Sequence, residues 1–111
     1  MKVTVENQPN GAAVVRLSGR LDLVSAGEVK QNISQAVGKG QKRLVVDLGD
    51  VQFIDSSGLG ALIGGLKTTR QAGGDLRIAR PGQQAVIILQ LTTLDKVLWP
   101  YTSVEEALAG Y

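Results

Sequence analysis

The chain has 111 residues, of which 43% are hydrophobic and 20% charged, and its formal net charge is +2 at neutral pH. A chain of this size holds one core, and its composition is typical of a single soluble domain. It contains no cysteine and no histidine, which excludes disulfides, thiolate catalysis, cysteine–zinc sites and every triad that needs histidine.

The N-terminus and the distribution of charge bear on location and partners. The opening Met-Lys-Val-Thr-Val has no apolar h-region, and no apolar run approaches the length of a membrane span. We therefore expect a cytoplasmic protein that does not bind membranes. The basic residues are dispersed and the chain has one Trp, two Tyr and one Phe, so we expect no direct nucleic-acid binding either.

The first part of the chain predicts a β-hairpin. Alternating polar and apolar residues predict a strand over Lys2–Glu6, and a Val- and Leu-rich strand follows at Ala12–Ser18. Asn, Pro and Gly at residues 7–11 form the turn between them. Gly19–Val24 is predicted to be a loop.

A strand–helix–strand pattern continues from there. Ser25 and Glu28 have the spacing of a capping box at the start of a first helix, which ends at Gly38 and Gly40. Arg43–Leu48 is a β-branched run with little alternation, which is typical of a strand covered on both faces.

The second helix follows the connection Gly49–Asp55 and shows one apolar stripe, made of Leu59, Leu62, Ile63 and Leu66. Two glycines, at 73 and 74, end this helix. Asp75–Ala79 is the next predicted strand.

The remainder of the chain predicts a third helix from Pro81, a weak strand over Lys96–Trp99, and a short helix opened by the capping box of Ser103 and Glu106. We expect Trp99 to pack in the core or at its edge. The resulting order, ββαβαβαβα, predicts a single α/β domain with a mixed sheet, a largely parallel centre and about four helices.

The junction before the second helix carries three polar residues in a row: Asp55, Ser56 and Ser57. Any of them can cap the helix, which is worth about 1 kcal/mol, but a helix needs only one cap. None of them has the Glu or Gln three residues later that completes a capping box. Simple capping and a hydroxyl that carries a phosphate therefore remain open as alternatives.

Glycines at positions 58, 60, 64 and 65 weaken the helix that follows, by about 1 kcal/mol each relative to alanine. They either let the helix pack tightly on its own sheet or leave a bare docking surface beside the hydroxyls. A phosphate on Ser56 adds a charge of about −1.5 to −2. A helix N-terminus tolerates that charge, whereas an interface does not.

At these residues the sequence resembles the STAS domain family, and within it the bacterial anti-sigma factor antagonists. The resemblance spans essentially the whole chain and is carried by five segments: Leu17–Asp22, Leu44–Leu48, Val51–Gly60, Gly73–Leu76 and Ser103–Leu108.

The resemblance implies a partner-switching cycle. In such a cycle the unphosphorylated antagonist binds an anti-sigma factor that is also a serine kinase, and the sigma factor is released. The kinase then phosphorylates the antagonist, and a PPM-type phosphatase restores it. Carried over by position, the acceptor is Ser56, and the partner-binding residues are Asp22, Asp55, Ser56, Ser57, Gly58, Leu59 and Gly60. The resemblance implies neither an enzyme nor a cofactor.

Other interpretations remain open. The chain could be a STAS scaffold or adaptor subunit of a stress-signalling or transport assembly, without phosphorylation. Nucleotide hydrolysis is disfavoured, because the chain has no G-x-x-x-x-G-K-[ST] loop. Four aspartates that could suggest a metal cluster are assigned ordinary loop and cap roles: Asp22, Asp47, Asp50 and Asp55.

Overall fold

Five strands form one mixed sheet in which each strand lies beside its neighbour in sequence. The computed structural model describes residues 1–111 and has the strands β1 Lys2–Asn7, β2 Ala12–Leu21, β3 Arg43–Ile54, β4 Asp75–Ala79 and β5 Pro100–Tyr101. The first pair is antiparallel, as expected of a hairpin, and all later pairs are parallel. The carboxyl ends of the four parallel strands therefore meet at one edge of the sheet.

Four helices connect and close these strands: α1 Leu23–Gly38, α2 Ser56–Gln71, α3 Gln83–Leu91 and α4 Val104–Leu108. The order of elements is the one predicted, and the mixed α/β architecture is confirmed. No helix in the chain is both long and apolar enough to cross a bilayer.

The core has two unequal parts on opposite faces of the sheet. A cluster of 20 buried residues joins one face to α1, α2 and α3, while a cluster of four lies on the other face with α4. Adjacent residues of β3 alternate between them, since Leu44 and Val46 belong to the large cluster and Val45 to the small one. The prediction that this strand is covered on both faces is confirmed.

Two strands are longer than predicted. β2 continues to Leu21 and β3 to Ile54, so the predicted loop at 19–24 and the connection at 49–55 are largely strand. The extensions pair with each other, and the last register pair is Leu21 with Ile54. Pairing across the sheet decides these ends, and register shifts between Arg16 and Arg20 accommodate the irregular residues.

The start of the first helix also differs from its prediction. Asp22, and not Ser25, is the N-cap of α1. Ser25 is the third residue of the helix and completes a reciprocal capping box with Asp22. β2 runs three residues further than predicted, to Leu21, and α1 begins at Leu23. Asp22 is therefore the single residue between the strand and the helix. The third helix begins at Gln83, after a Gly82 cap, and not at Pro81.

The last strand is shifted toward the C-terminus. Residues Leu94–Lys96 form a 3₁₀ turn and the strand is Pro100–Tyr101, so the prediction of a strand over 96–99 was wrong. Trp99 is 62% exposed, contrary to the expectation that it packs in the core. Its neighbour Leu98 takes the buried place instead, at 1% exposure.

Candidate functional site

The N-termini of α1 and α2 lie side by side at the carboxyl edge of the sheet. The backbone N–H of Asp55 donates to the carbonyl of Leu21 at 3.2 Å, which joins the start of α2 to the end of β2. Gly58 is buried against the same carbonyl, and a Cβ at this position would overlap with its oxygen. Since Asp22 follows Leu21 directly, the close approach that glycine permits brings the two capping aspartates next to each other.

Asp55 alone caps α2. Its backbone is extended, with φ −106° and ψ −175°, and its Oδ1 accepts a hydrogen bond of 2.8 Å from the N–H of Gly58. Ser56 and Ser57 are thus the first two residues inside the helix, and neither is needed as a cap. The sequence left open which of the three polar residues caps the helix, and the structure gives that role to Asp55.

The hydroxyl of Ser56 is free. The residue is exposed, and none of the side-chain hydrogen bonds in the chain involves it. Ser57 is half-buried and makes no side-chain hydrogen bond either. Ser56 therefore stands at the positive end of α2, where the first backbone N–H groups lack partners within the helix and an anion is favoured.

Asp22 is held more tightly than Asp55. Its Oδ1 accepts from the N–H of Val24 at 3.1 Å and of Ser25 at 3.3 Å, and its own N–H donates to the hydroxyl of Ser25 at 3.0 Å. The remaining Oδ2 lies 3.6 Å from Nε of Arg20, whose guanidinium stacks over Phe53 at 4.4 Å. The site thus presents two capping carboxylates, with one exposed arginine beside the first of them.

The glycines of α2 divide into two groups. At Gly65 an added Cβ would lie 2.6 Å from Cδ1 of Ile33, and Gly58 meets backbone, so these two permit close packing inside the molecule. Gly60 is exposed and has nothing within 4 Å of the added atom. Close packing within the molecule is therefore confirmed at Gly58 and Gly65, whereas Gly60 leaves a bare spot on the surface of α2.

The predicted partner-binding residues are not all at the surface. Gly58 is buried and Leu59 is 5% exposed, and the latter belongs to the large core cluster. Ser56 and Gly60 are exposed, and the two aspartates and Ser57 are half-buried. The seven residues lie together at the starts of α1 and α2. Only five of them have surface that a partner protein could contact, namely Asp22, Asp55, Ser56, Ser57 and Gly60.

Two exposed aliphatic residues were missed at the sequence level. Leu23 is 75% exposed and Val24 is 92% exposed, in the first turn of α1 directly after its cap. They lie off the buried face of that helix, which carries Val29 and Ile33. A signal was available, since aliphatic residues outside an apolar stripe must find cover elsewhere or remain exposed.

Gln84 was missed as well. Its Oε1 accepts from the N–H of Ile54 at 3.0 Å, and its Nε2 donates to the carbonyl of Ile54 at 2.8 Å. β4 pairs with β3 only as far as Asp47, so the far end of β3 has no strand neighbour on that side. The glutamine amide takes that place and holds the residue that precedes Asp55.

Asp47 belongs to a separate cluster. It is 2% exposed, and its carboxylate accepts from Arg16 at 2.9 Å, from Arg80 at 2.7 and 2.9 Å, and from the N–H of Gly49 at 3.0 Å. Burial alone would raise the pKa of Asp47, but these hydrogen bonds and the two guanidinium charges together hold the pKa below its usual value. Asp47 is a structural residue of the sheet and not part of the site.

Comparison with known proteins agrees with this geometry. The STAS domain family matches residues 3–107. The chain belongs to the STAS domain family. The resemblance described above is thereby confirmed.

Curated relatives of this STAS domain are named anti-sigma factor antagonists. The anti-sigma F factor antagonist of Paenibacillus polymyxa is 32% identical over 99 residues, which cover 88% of this chain and 85% of that protein. The anti-sigma-F factor antagonist RsfB of Mycobacterium tuberculosis is 30% identical over 110 residues, 97% of this chain and 87% of that protein.

A solved structure extends the likeness to three dimensions. An anti-sigma factor antagonist from Mycobacterium paratuberculosis aligns with a TM-score of 0.85 at 31% identity. The alignment covers 96% of this chain and 90% of that one.

Proposed function

We propose that this STAS domain is an anti-sigma factor antagonist whose binding is switched off by phosphorylation of Ser56. One observation carries the proposal: Ser56 is exposed at the N-terminus of α2 and its hydroxyl makes no hydrogen bond within the chain, while Asp55 makes the cap. The hydroxyl is therefore available to a second protein without any cost to the fold. The names of the relatives supply the class of partner.

In the bound state, the partner contacts the edge where α1 and α2 begin. The contact residues we propose are those with exposed or half-exposed surface: Asp22, Asp55, Ser56, Ser57 and Gly60. Gly58 and Leu59 act from inside, because they hold the start of α2 against β2 and the core. Gly60 leaves a bare spot at which a partner backbone can approach closely.

Phosphorylation then acts on the complex and not on the domain. The helix N-terminus favours an added anion by roughly 0.3–1 kcal/mol, so the fold is retained. At the interface, a hydrated dianion beside Asp22 and Asp55 must lose its water near two like charges. A loss of about 3–4 kcal/mol in binding corresponds to a several-hundred-fold weaker complex.

The cycle needs two partners, which we place in the cytoplasm. The anti-sigma factor acts as a serine kinase and transfers the γ-phosphoryl group of ATP to Oγ of Ser56, with ADP as the leaving group and the hydroxyl proton taken by the kinase. A PPM-type phosphatase hydrolyses the phosphoserine and returns the hydroxyl and inorganic phosphate. The STAS domain supplies no catalytic group and is the substrate of both reactions.

The acceptor is tested by intact mass measurement after incubation with a kinase-type anti-sigma factor and ATP. We expect the unmodified chain and Ser57→Ala to gain one phosphoryl group, and Ser56→Ala to gain none. A gain that persists in Ser56→Ala would move the acceptor to another residue. No gain in any variant would favour the unphosphorylated adaptor.

The effect of charge on binding is tested separately by calorimetry. We expect Ser56→Asp to weaken binding to the anti-sigma factor at least about tenfold, since a carboxylate has less charge than a phosphate. Ser34→Asp places the same charge at an exposed position of α1 and serves as the matched control. Equal affinity for the two variants would contradict the proposed effect of charge.

A further inference from the structure

Strand β1 leaves one long edge of the sheet unpaired. It bonds to β2 on one side and no strand lies on its other side, whereas β5, at the opposite edge of the sheet, has only two residues. All residues of β1 except Val3 are exposed. An edge of this length presents backbone N–H and C=O groups that can pair with a strand of another molecule.

The unpaired backbone groups of this edge belong to Val3 and Val5. The register of the hairpin continues to Gln8, whose N–H donates to the carbonyl of Ala12 at 2.8 Å. Because hydrogen bonding alternates along an antiparallel strand, the even-numbered residues of β1 bond to β2, and the N–H and C=O groups of Val3 and Val5 point outward. A further strand can therefore bond to these two residues without disturbing β2.

The sequence of β1 indicates which strand fits. Residues 2–6 read Lys-Val-Thr-Val-Glu, so the apolar pattern is the same in both directions and the two ends carry opposite charges. Consider two copies that run antiparallel with Thr4 opposite Thr4. Val3 of each copy then faces Val5 of the other, and Lys2 of each faces Glu6 of the other. A shift of two residues in either direction removes both ion pairs, so the charges select one register.

The direction of the backbone groups agrees with this register. Val3 and Val5 form the hydrogen-bonded pairs, and the Lys2–Glu6 and Thr4–Thr4 pairs are non-hydrogen-bonded, which is the arrangement that brings side chains closest together. Opposite charges and paired threonines both stabilise neighbouring strands when they lie directly opposite each other. A parallel arrangement in register would instead place like charges side by side.

A second copy also continues a row of alternating charges on the sheet. Oε2 of Glu6 accepts from Arg16 at 3.1 Å, and Arg16 donates to Asp47 at 2.9 Å. The other carboxylate oxygen of Glu6 has no partner within the chain, and the Glu6 side chain is 56% exposed. Lys2 of the second copy would therefore meet a carboxylate that Arg16 already orients.

We propose that β1 binds β1 of a second copy of this chain, antiparallel around a two-fold axis at Thr4, so that one sheet continues across both copies. This inference does not rest on the proposed function, because Ser56 lies at the carboxyl ends of the parallel strands and takes no part in the contact. A contact made by one strand from each copy is smaller than a standard interface. The dimer is therefore weak, and its population rises with protein concentration.

Sedimentation equilibrium across a wide range of concentration tests the role of the charges. We expect the unmodified chain to self-associate and Lys2→Glu to raise the dissociation constant at least about tenfold, since two pairs of like charges then face each other. Lys39→Glu makes the same change in net charge at the exposed end of α1 and should retain self-association. Circular dichroism verifies that both variants are folded. A monomer at every concentration, or equal association of the two variants, would overturn the proposal.

A mixing experiment tests whether Lys2 of one copy faces Glu6 of the other. Lys2→Glu and Glu6→Lys are each expected to associate poorly alone. Their mixture is expected to form a heterodimer, because each charged residue then faces one of opposite sign. Absence of a heterodimer between the two folded variants would refute this register.

Hydrogen exchange of the unmodified chain tests the backbone pairing without any substitution. The amide protons of Val3 and Val5 face solvent in the monomer, so their exchange should slow as protein concentration rises and the dimer forms. Exchange of these two amides that is independent of concentration would overturn the proposal. Self-association without their protection would assign the contact to another surface and refute pairing through β1.

Discussion

Asp47 and Ser56 are polar residues close together in the chain, and the structure treats them in opposite ways. Asp47 is 2% exposed and its carboxylate accepts four hydrogen bonds from the chain itself. Ser56 is exposed, and its hydroxyl has no hydrogen-bond partner within the chain. A polar group whose bonds are complete serves the fold, whereas one left free at the surface can serve another molecule. Changes at the two kinds of position should separate stability from binding.

The largest effect is expected on the stability of the fold, from a substitution at Gly58. Alanine there would drive Cβ into the carbonyl oxygen of Leu21, and backbone cannot give way as a side chain can. We expect Gly58→Ala to lower the free energy of unfolding by about 3 kcal/mol or more, measured by urea denaturation. Gly64→Ala is the control, since its nearest neighbour is the flexible side chain of Lys30 at 3.2 Å. Similar unfolding of the two variants would contradict the close approach of α2 to β2.

The next largest effect is expected of Asp47→Asn, which tests how much the buried, hydrogen-bonded carboxylate contributes to stability. It weakens two arginine contacts, and because both arginines are half exposed we expect a loss of about 1–3 kcal/mol at neutral pH.

The same variant predicts a pH dependence. The folded pKa of Asp47 lies below its unfolded value, so its contribution is complete above that unfolded value and is lost as pH falls through the folded pKa. Urea denaturation at a series of acidic pH values should show the parent and Asp47→Asn converging. Curves that stay parallel would show that the carboxylate charge is not what stabilises.

A smaller effect separates the cap from the hydroxyls beside it. We expect Asp55→Ala to cost about 1 kcal/mol through loss of the hydrogen bond to Gly58. Ser56→Ala and Ser57→Ala should change the free energy of unfolding by less than about 0.5 kcal/mol, since neither side chain bonds to the chain. Thermal unfolding of the three variants gives the comparison. A serine variant as unstable as Asp55→Ala would show that the serine side chain contributes to the stability of the fold, contrary to this prediction.

The smallest effect on stability has the opposite sign. Gly60 is helical and exposed, with nothing near an added methyl group, so Gly60→Ala should stabilise the domain by up to about 1 kcal/mol. Under the proposed function the same methyl group reduces affinity for the anti-sigma factor, because it fills the bare spot beside Ser56. Calorimetry and urea denaturation of one variant measure both. Unchanged binding would place Gly60 outside the interface.

Much of the fold follows from local patterns. The order of strands and helices, and the double coverage of β3, rest on apolar periodicity and on breaks at glycine, and both were predicted. The ends of β2 and β3 were not, because residues 49–53 are partly exposed and look like a loop. Their strand conformation comes from pairing with residues 18–20, which lie far away in sequence. The cap of α1 was assigned to Ser25 because aspartate and serine are equally good caps, and only the length of β2 decides between them.

The candidate site divides in the same way. The position of Ser56 at the start of a helix could be predicted from its neighbours, and the family resemblance named its role. The hydroxyl of Ser56 has no hydrogen bond because Asp55 caps the helix. The sequence could not predict this, since three adjacent residues were equally suitable as the cap. The burial of Leu59 agrees with its place in the apolar stripe of α2, which local spacing predicted. Leu23 and Val24 lie outside the apolar stripe of α1, and only the assembled fold shows that no other element covers them.

The pairing of Gln84 with Ile54 has a consequence for how this sequence tolerates change. Beyond the end of β4, the amide of Gln84 takes the place of a neighbouring strand residue, because it accepts one hydrogen bond from the backbone of Ile54 and donates one to it. Glutamate is nearly the same size but has no donor, so it would leave the carbonyl of Ile54 without its bond. Gln84 is exposed and would ordinarily tolerate substitution. Its two hydrogen bonds to the backbone of Ile54 restrict this position to a side chain that has both a donor and an acceptor.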